Sequence, residues 1–202
     1  MRQLPTRSMD LLFDAEPMVH PAVREAFEKA ASLLQKHEIR FRPIGGIAMN
    51  LAGAGRPTRD VDLVVARRNW HRACEVLQEL ATDLRGIRLG LEGEPENGLA
   101  LVGPQGVAIE VWPEGLTHEE IARLRGRHRP HRAGKIALTL RGDDRVALLN
   151  AKLASYLSAT DRVKDAGDAQ SLIHAWALPI EFADNLDVRV RATYRRLWRG
   201  EL

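Results

Sequence analysis

Apolar positions along the chain alternate between helical and strand periods. In "PAVREAFEKAASLLQK" (21–36), Val23, Phe27, Ala30 and Leu34 recur at i, i+4, i+7 and i+11. That is one helical face, and Pro21 suits the first turn. "RFRPI" (40–44) reads as a short strand, broken by Gly45-Gly46, and "IAMNLAG" (47–53) suits a short helix ending at Gly53 or Gly55. "VDLVV" (61–65) is a second strand. Trp70, Cys74, Leu77 and Ala81 return to helical spacing and predict a helix over 69–82.

Three strand-like runs follow, at 86–93, 97–103 and 106–112, with Gly, Pro or Asn between them, the pattern of an antiparallel meander. "THEE" (117–120) matches a capping box and opens a short helix. "KIALTL" (135–140) reads as one more strand. From Asp143 the pattern is helical throughout. Asp143 or Asp144 caps "RVALLNAKLASYLSA", with Val146, Asn150, Leu153 and Leu157 on one face. "KDAGDAQSLIHAWAL" follows, stopped near Pro179, and "DVRVRATYRRLW" carries the stripe Leu186, Val190, Tyr194 and Leu197. The expected plan is α+β: a mixed α/β domain over 1–142 and a helical domain over 143–202.

Composition adds little to this plan. At 202 residues, with 45% hydrophobic and 28% charged residues, the chain is long enough for one sizeable core or two small ones. It has no apolar run of 18 residues, hence no expected transmembrane helix, and its first residues lack an apolar segment long enough for a signal peptide. The single cysteine, Cys74, excludes an internal disulfide and a cysteine-based zinc site. The expected compartment is the cytoplasm. Net charge is only +3, but "RLRGRHRPHR" (123–132) and "RVRATYRRLWR" (189–199) each hold five arginines. Such runs suit phosphate-rich partners or form an ordinary solvated surface.

The chemistry concentrates in "IGGIAMNLAGAGRPTRDVDLVV" (44–65). Side chains alternate faces on a strand, so Asp60 and Asp62 share one face and Val61, Leu63 and Val65 the other. Two neighbouring carboxylates in an apolar strand need a counter-charge. Magnesium, or manganese in its place, takes oxygen ligands and suits an Asp-x-Asp pair. Glu110 is a lone charge in the apolar run "GVAIEVW"; if that strand lies beside 61–65, it joins the aspartates. Three carboxylates can hold two metals for an in-line phosphoryl displacement. Gly45-Gly46, between strand and helix, would let the backbone approach a phosphate. The opposing structural reading makes the aspartates turn caps and Glu110 an edge-strand charge.

In this order, Gly45, Gly46, Arg56, Thr58, Asp60 and Asp62, then an acid in a later strand, the residues resemble the nucleotidyltransferase superfamily related to DNA polymerase beta. They look most like its AbiEii-type branch of abortive-infection and toxin–antitoxin systems. The third acid of that family is usually Asp; here Glu110 stands in its place. A family lysine followed by a Lys-Asp-x-x-Asp motif is matched by Lys152, then Lys164, Asp165 and Asp168. The resemblance covers most of residues 41–175 and implies a nucleotidyltransferase-like mixed sheet flanked by helices. It implies an NTP substrate, metal on Asp60, Asp62 and Glu110, and nucleotide contacts from Gly45, Gly46, Arg56, Thr58, Lys164, Asp165 and Asp168. Lys152 would meet a phosphate. The acceptor would be RNA, drawn by the arginine runs, or protein, and an antitoxin protein would be a partner. Two rival readings are transfer to a small molecule such as an aminoglycoside, and a catalytically inactive nucleotidyltransferase-fold binding module.

Overall fold

The stripe of residues 21–36 folds as helix α1 (Pro21–Lys36), with Val23, Phe27, Ala30 and Leu34 all buried. The structure, a computed structural model, describes residues 19–81, 87–89 and 98–201. Parts of the expected helix and meander at 82, 86 and 90–97 lie outside the described residues. Strand β1 (Phe41–Ile44) runs directly into helix α2 (Gly45–Leu51), followed by β2 (Asp60–Val65). Helix α3 (Trp70–Gln78) buries Trp70, Cys74 and Leu77 as its spacing requires. Strands β3 (Ile87–Leu89), β4 (Gly98–Val102) and β5 (Ala108–Pro113) complete a five-stranded sheet of order β1-β2-β5-β4-β3.

The meander β3-β4-β5 is antiparallel and β1 is antiparallel to β2, but β2 and β5 run parallel at the centre, making the sheet mixed. Period-2 alternation then divides the cores. Val61, Leu63 and Val65 of β2, with Ile109 and Val111 of β5, pack against α1 and α3. On the other face Val64 and Trp112 pack with Leu116, Ile121, Leu138 and Leu140. Asp60, Asp62 and Glu110 belong to this second face by the same alternation.

Helix α4 (His118–Leu124) opens with the expected capping box: Glu120 N–H donates to Thr117 Oγ1 at 3.3 Å, and Thr117 N–H to the Glu120 carboxylate at 2.8 Å. The strand expected at 135–140 is absent. Residues 132–135 form a short 3-10 turn, and 136–140 run extended without joining the sheet. The alternation was sound, since Ile136, Leu138 and Leu140 are buried. The segment's backbone instead pairs with the Gly115–His118 loop, Leu138 N–H donating to Leu116 C=O at 2.8 Å. Period 2 reports which side faces the core and not what the backbone bonds to.

Helix α5 (Asp144–Ser158) is capped by Asp143, which accepts from Arg145 N–H at 2.7 Å. Its most buried residues are Leu149, Lys152, Leu153, Ala154 and Ser158, offset from the expected stripe. Helix α6 (Val163–Ala175) packs beside it. The last helix, α7 (Arg191–Trp198), begins four residues later than expected. Asp187 takes the Arg189 N–H at 2.9 Å and holds the chain in a turn first. Leu186, Val190, Tyr194 and Leu197 are nonetheless all buried. The core of these helices also includes Met49, Ala54, Ala133 and Ile136, so helix α2 of the sheet region shares it.

Candidate functional site

The register of the two central strands decides the site. Asp62 stands directly opposite Glu110 in the parallel β2–β5 pair, and Asp60 lies two residues away on the same face. The glycines come next. Gly45 has φ of +61°, a conformation side chains resist, and a Cβ there would collide with the Asp62 carboxylate. A Cβ on Gly46 would collide with the Thr58 side chain. The glycine pair therefore lets the start of α2 lie against β2 and its approach. Thr58 is buried and its hydroxyl donates to Asp60 Oδ1 at 3.0 Å. Asn50, which sequence reasoning missed, donates to Gly46 C=O at 2.9 Å and Arg56 C=O at 2.8 Å, tying the glycine turn to the Arg56 loop.

The counter-charge on this face is Arg125, at the C-terminal end of α4. Its guanidinium donates to Glu110 Oε2, lies 3.5 Å from Asp62 Oδ1, and sits 5.1 Å from the Trp112 ring centroid. Burial pushes the Asp62 carboxyl up to about 6; Arg125 opposes the rise, and the like charges of Asp60 and Glu110 add to it. Burial alone would lower the Arg125 pKa, but Glu110 and Asp62 hold it above the ordinary value. The all-oxygen donor set suits a hard divalent cation. Among the described residues, however, no three His, Cys, Asp or Glu side chains close around one point to enclose a metal ion. Arg125 is the cation among these acids.

A second charged cluster adjoins the first. Lys152, only 6% exposed, donates to Asp165 Oδ1 at 3.0 Å and Asp168 Oδ2 at 2.6 Å. Arg56 Nε lies 3.4 Å from Asp168 Oδ1, and Arg162 Nε 3.7 Å from Asp165 Oδ2. Arg56 thus links the Arg-x-Thr-x-Asp-x-Asp loop to the Lys-Asp-x-x-Asp helix. Burial alone would raise the Asp165 carboxyl, but the Lys152 and Arg162 cations outweigh it and hold it low. His118 lies in the same field. Burial pushes its imidazole down to about 4, Asp165 opposing and Arg162, Arg125 and Lys152 adding. Lys164 is exposed on α6 and takes no part in the cluster.

No protein-family model matches the chain. No curated protein matches it either. Among solved structures it is similar to the Thermotoga maritima CCA-adding enzyme complexed with its tRNA, at 11% identity and a TM-score of 0.42. The similarity covers 96% of this chain and 54% of that one, so the chain spans about half that enzyme's length.

Of the residues picked from sequence, the structure brings Gly45, Gly46, Thr58, Asp60, Asp62 and Glu110 together, and gathers Arg56, Lys152, Asp165 and Asp168 beside them. Lys152 was expected to reach a phosphate; its ammonium is instead committed to two carboxylates in the helix interface. The arginine runs lie largely at the surface, as either reading of them requires, but several members are ion-paired. Arg123 pairs with Glu119, Arg125 with Glu110, and Arg127 with Asp161; Arg129 donates to Tyr156 and Leu157 C=O at the end of α5. Arg189 pairs with Asp187 and Arg195 with Asp184. Sequence reasoning missed Arg125, Arg162 and His118 as members of the charged interior. No local signal marks Arg125 or His118, because their acids come from elsewhere in the chain; Arg162 pairs with Asp165 only three residues on. No helix among the described residues is long and apolar enough to cross a membrane.

Proposed function

We propose that the chain is a divalent-cation-dependent nucleotidyltransferase that moves a nucleotide from an NTP to an acceptor hydroxyl. One observation carries this reading: Asp62 faces Glu110 across parallel strands, with Asp60 on the same face and the Gly45 backbone against the Asp62 carboxylate. A structural role for three acids on one sheet face would favour spreading them apart, since like charges in a shielded site repel. Asp60, Asp62 and Glu110 would hold the cation, which when bound activates the attacking hydroxyl and stabilises the leaving oxygen.

The chain's own groups supply the rest. The acceptor oxygen bonds to the α-phosphorus, the bond to the pyrophosphate oxygen breaks, and the hydroxyl proton passes to the Glu110 carboxylate. Thr58 orients Asp60 through its 3.0 Å hydrogen bond. The Gly45-Gly46 turn and Arg56 border the phosphates, while Lys152 holds Asp165 and Asp168 in place from inside. RNA or protein is the acceptor, and a toxin-like role opposed by an antitoxin is the biological setting that the motif order suggests. Several arginines of the runs stay at the surface, Arg132 and Arg196 among them, and these are the groups an RNA backbone would meet.

A second reading is favoured by Arg125: a nucleotidyltransferase fold without catalysis, in which this guanidinium permanently serves as the cation. Incubation with each labelled NTP and total RNA or protein, with and without Mg²⁺, decides between them. Mg²⁺-dependent label transfer that is lost in Asp62→Asn supports the enzyme; no transfer with any NTP and either acceptor pool rejects it.

A further inference from the structure

Arg125 differs from the other arginines of its run in what it faces. Arg123 and Arg127 make half-exposed ion pairs, whereas the Arg125 side chain is 18% exposed and reaches two of the three acids. Arg125 Nη2 contacts Glu110 and Asp62, and the guanidinium carbon lies over Trp112, 5.1 Å from the centroid of this fully buried ring two residues beyond Glu110 on the same face of β5. Arginine is suited to this double role because its charge is planar and delocalised. Any divalent cation held by Asp62 and Glu110 would meet a positive charge already in contact with both. At such separations, in a partly shielded site, two cations repel strongly.

The backbone beneath Arg125 is tied by hydrogen bonds that do not involve its side chain. Arg125 N–H donates to Ile121 C=O at 3.1 Å, Gly126 N–H to Arg123 C=O at 2.9 Å and Arg127 N–H to Ala122 C=O at 2.7 Å. Gly126, with φ of +64°, closes this helix end in the left-handed conformation that such caps use. Among the described residues, the guanidinium contacts its carboxylate partners and the Trp112 ring.

We propose that Arg125 is an exchangeable counter-cation of the Asp60–Asp62–Glu110 face, which must swing away by side-chain rotation alone before a divalent cation can take these acids. This rests on the reading of the acids as a cation site. It makes Arg125 a positioning residue that sets the site's cation affinity. Apparent affinity is reduced by the fraction of molecules in which Arg125 occupies the acids. Withdrawal also removes the cation from the face of Trp112.

The test titrates Mn²⁺ alone into the full chain by calorimetry, following tryptophan fluorescence in parallel, for wild type, Arg125→Gln and Arg125→Lys. Mn²⁺ should bind Arg125→Gln at least tenfold more tightly than wild type, with Arg125→Lys between them. The binding-linked fluorescence change of wild type should be lost in Arg125→Gln. Should Arg125→Gln not fold, Arg125→Lys decides: it keeps the charge but lacks the planar fork, and tighter binding than wild type supports exchange. Equal affinity in wild type and variants overturns the exchange while leaving the acids a cation site. Mn²⁺ binding by none of the three overturns the cation site and the exchange with it.

Discussion

At the residue scale the acids have opposite demands in folding and in chemistry. Asp62 lies opposite Glu110 and near Asp60, and Arg125, with a smaller contribution from Arg162, offsets their repulsion. Asp62→Asn should therefore leave the melting temperature, measured at pH 7 without divalent cations, unchanged or slightly raised, as is usual where a functional site carries strain. Nucleotide transfer should fall by several orders of magnitude if Asp62 holds the cation. A lost structural cap would instead lower stability by roughly 0.5–2 kcal/mol and leave chemistry alone. His118 makes a different demand. Its folded pKa, about 4, lies below the ordinary 6.5, so the unfolded chain binds more protons between these values. Stability is then fully present above about pH 6.5 and falls as pH drops toward 4, by on the order of 3 kcal/mol for this one group. Chemical denaturation of His118→Leu across pH 4–7 should show a flatter loss than wild type; an unchanged slope would clear His118 of the effect. Asp165, Arg162, Arg125 and Lys152 are the charged groups that act on the imidazole.

At the scale of elements, two contacts join parts of the chain that sequence reading treats separately. The first is the seat of α2 on the strand-entry segment. Gly46→Ala should destabilise by roughly 1–3 kcal/mol, because the new methyl meets Thr58 Cβ as well as its hydroxyl. Thr58→Gly should recover part of that loss in the double variant, since residues in contact do not add. Additive losses in denaturant titrations would place the strain elsewhere. A glycine substitution here is accordingly a packing lesion, and weakened nucleotide binding in such a variant would not by itself locate the phosphates. The second contact is Lys152 between α5 and α6. Lys152→Met should cost roughly 3–5 kcal/mol, because it leaves Asp165 and Asp168 buried without their main partner. Adding Asp165→Asn should restore part of it. A Lys152→Met protein of wild-type stability would show the buried charges to be better solvated than their positions imply.

At the scale of the whole molecule, what sequence settled and what it left open follows from the range of each signal. Alternation and helical spacing are local, so they determined the element types: the buried face of α1, the meander of β4 and β5, and the stripe Leu186–Val190–Tyr194–Leu197. They also determined that Asp60 and Asp62 share a face, because a strand has no other geometry. They could not determine that β5 pairs with β2 in the register Asp62↔Glu110, since pairing depends on a chain reversal far from either strand. For the same reason 136–140 alternates like a strand yet bonds to a loop, and no local pattern distinguishes the two. Charge was the least legible property. The two arginine runs read as uniformly cationic because several of their acids, Glu110, Asp161 and Asp184 among them, are brought beside them by the fold or lie turns away. Lys152 reads as a free cation for the same reason, with Asp165 and Asp168 thirteen and sixteen residues beyond it. A side chain's charge is written in the sequence, but the partner that neutralises it is chosen by tertiary structure, because Coulomb attraction acts through space and the chain order does not record distance.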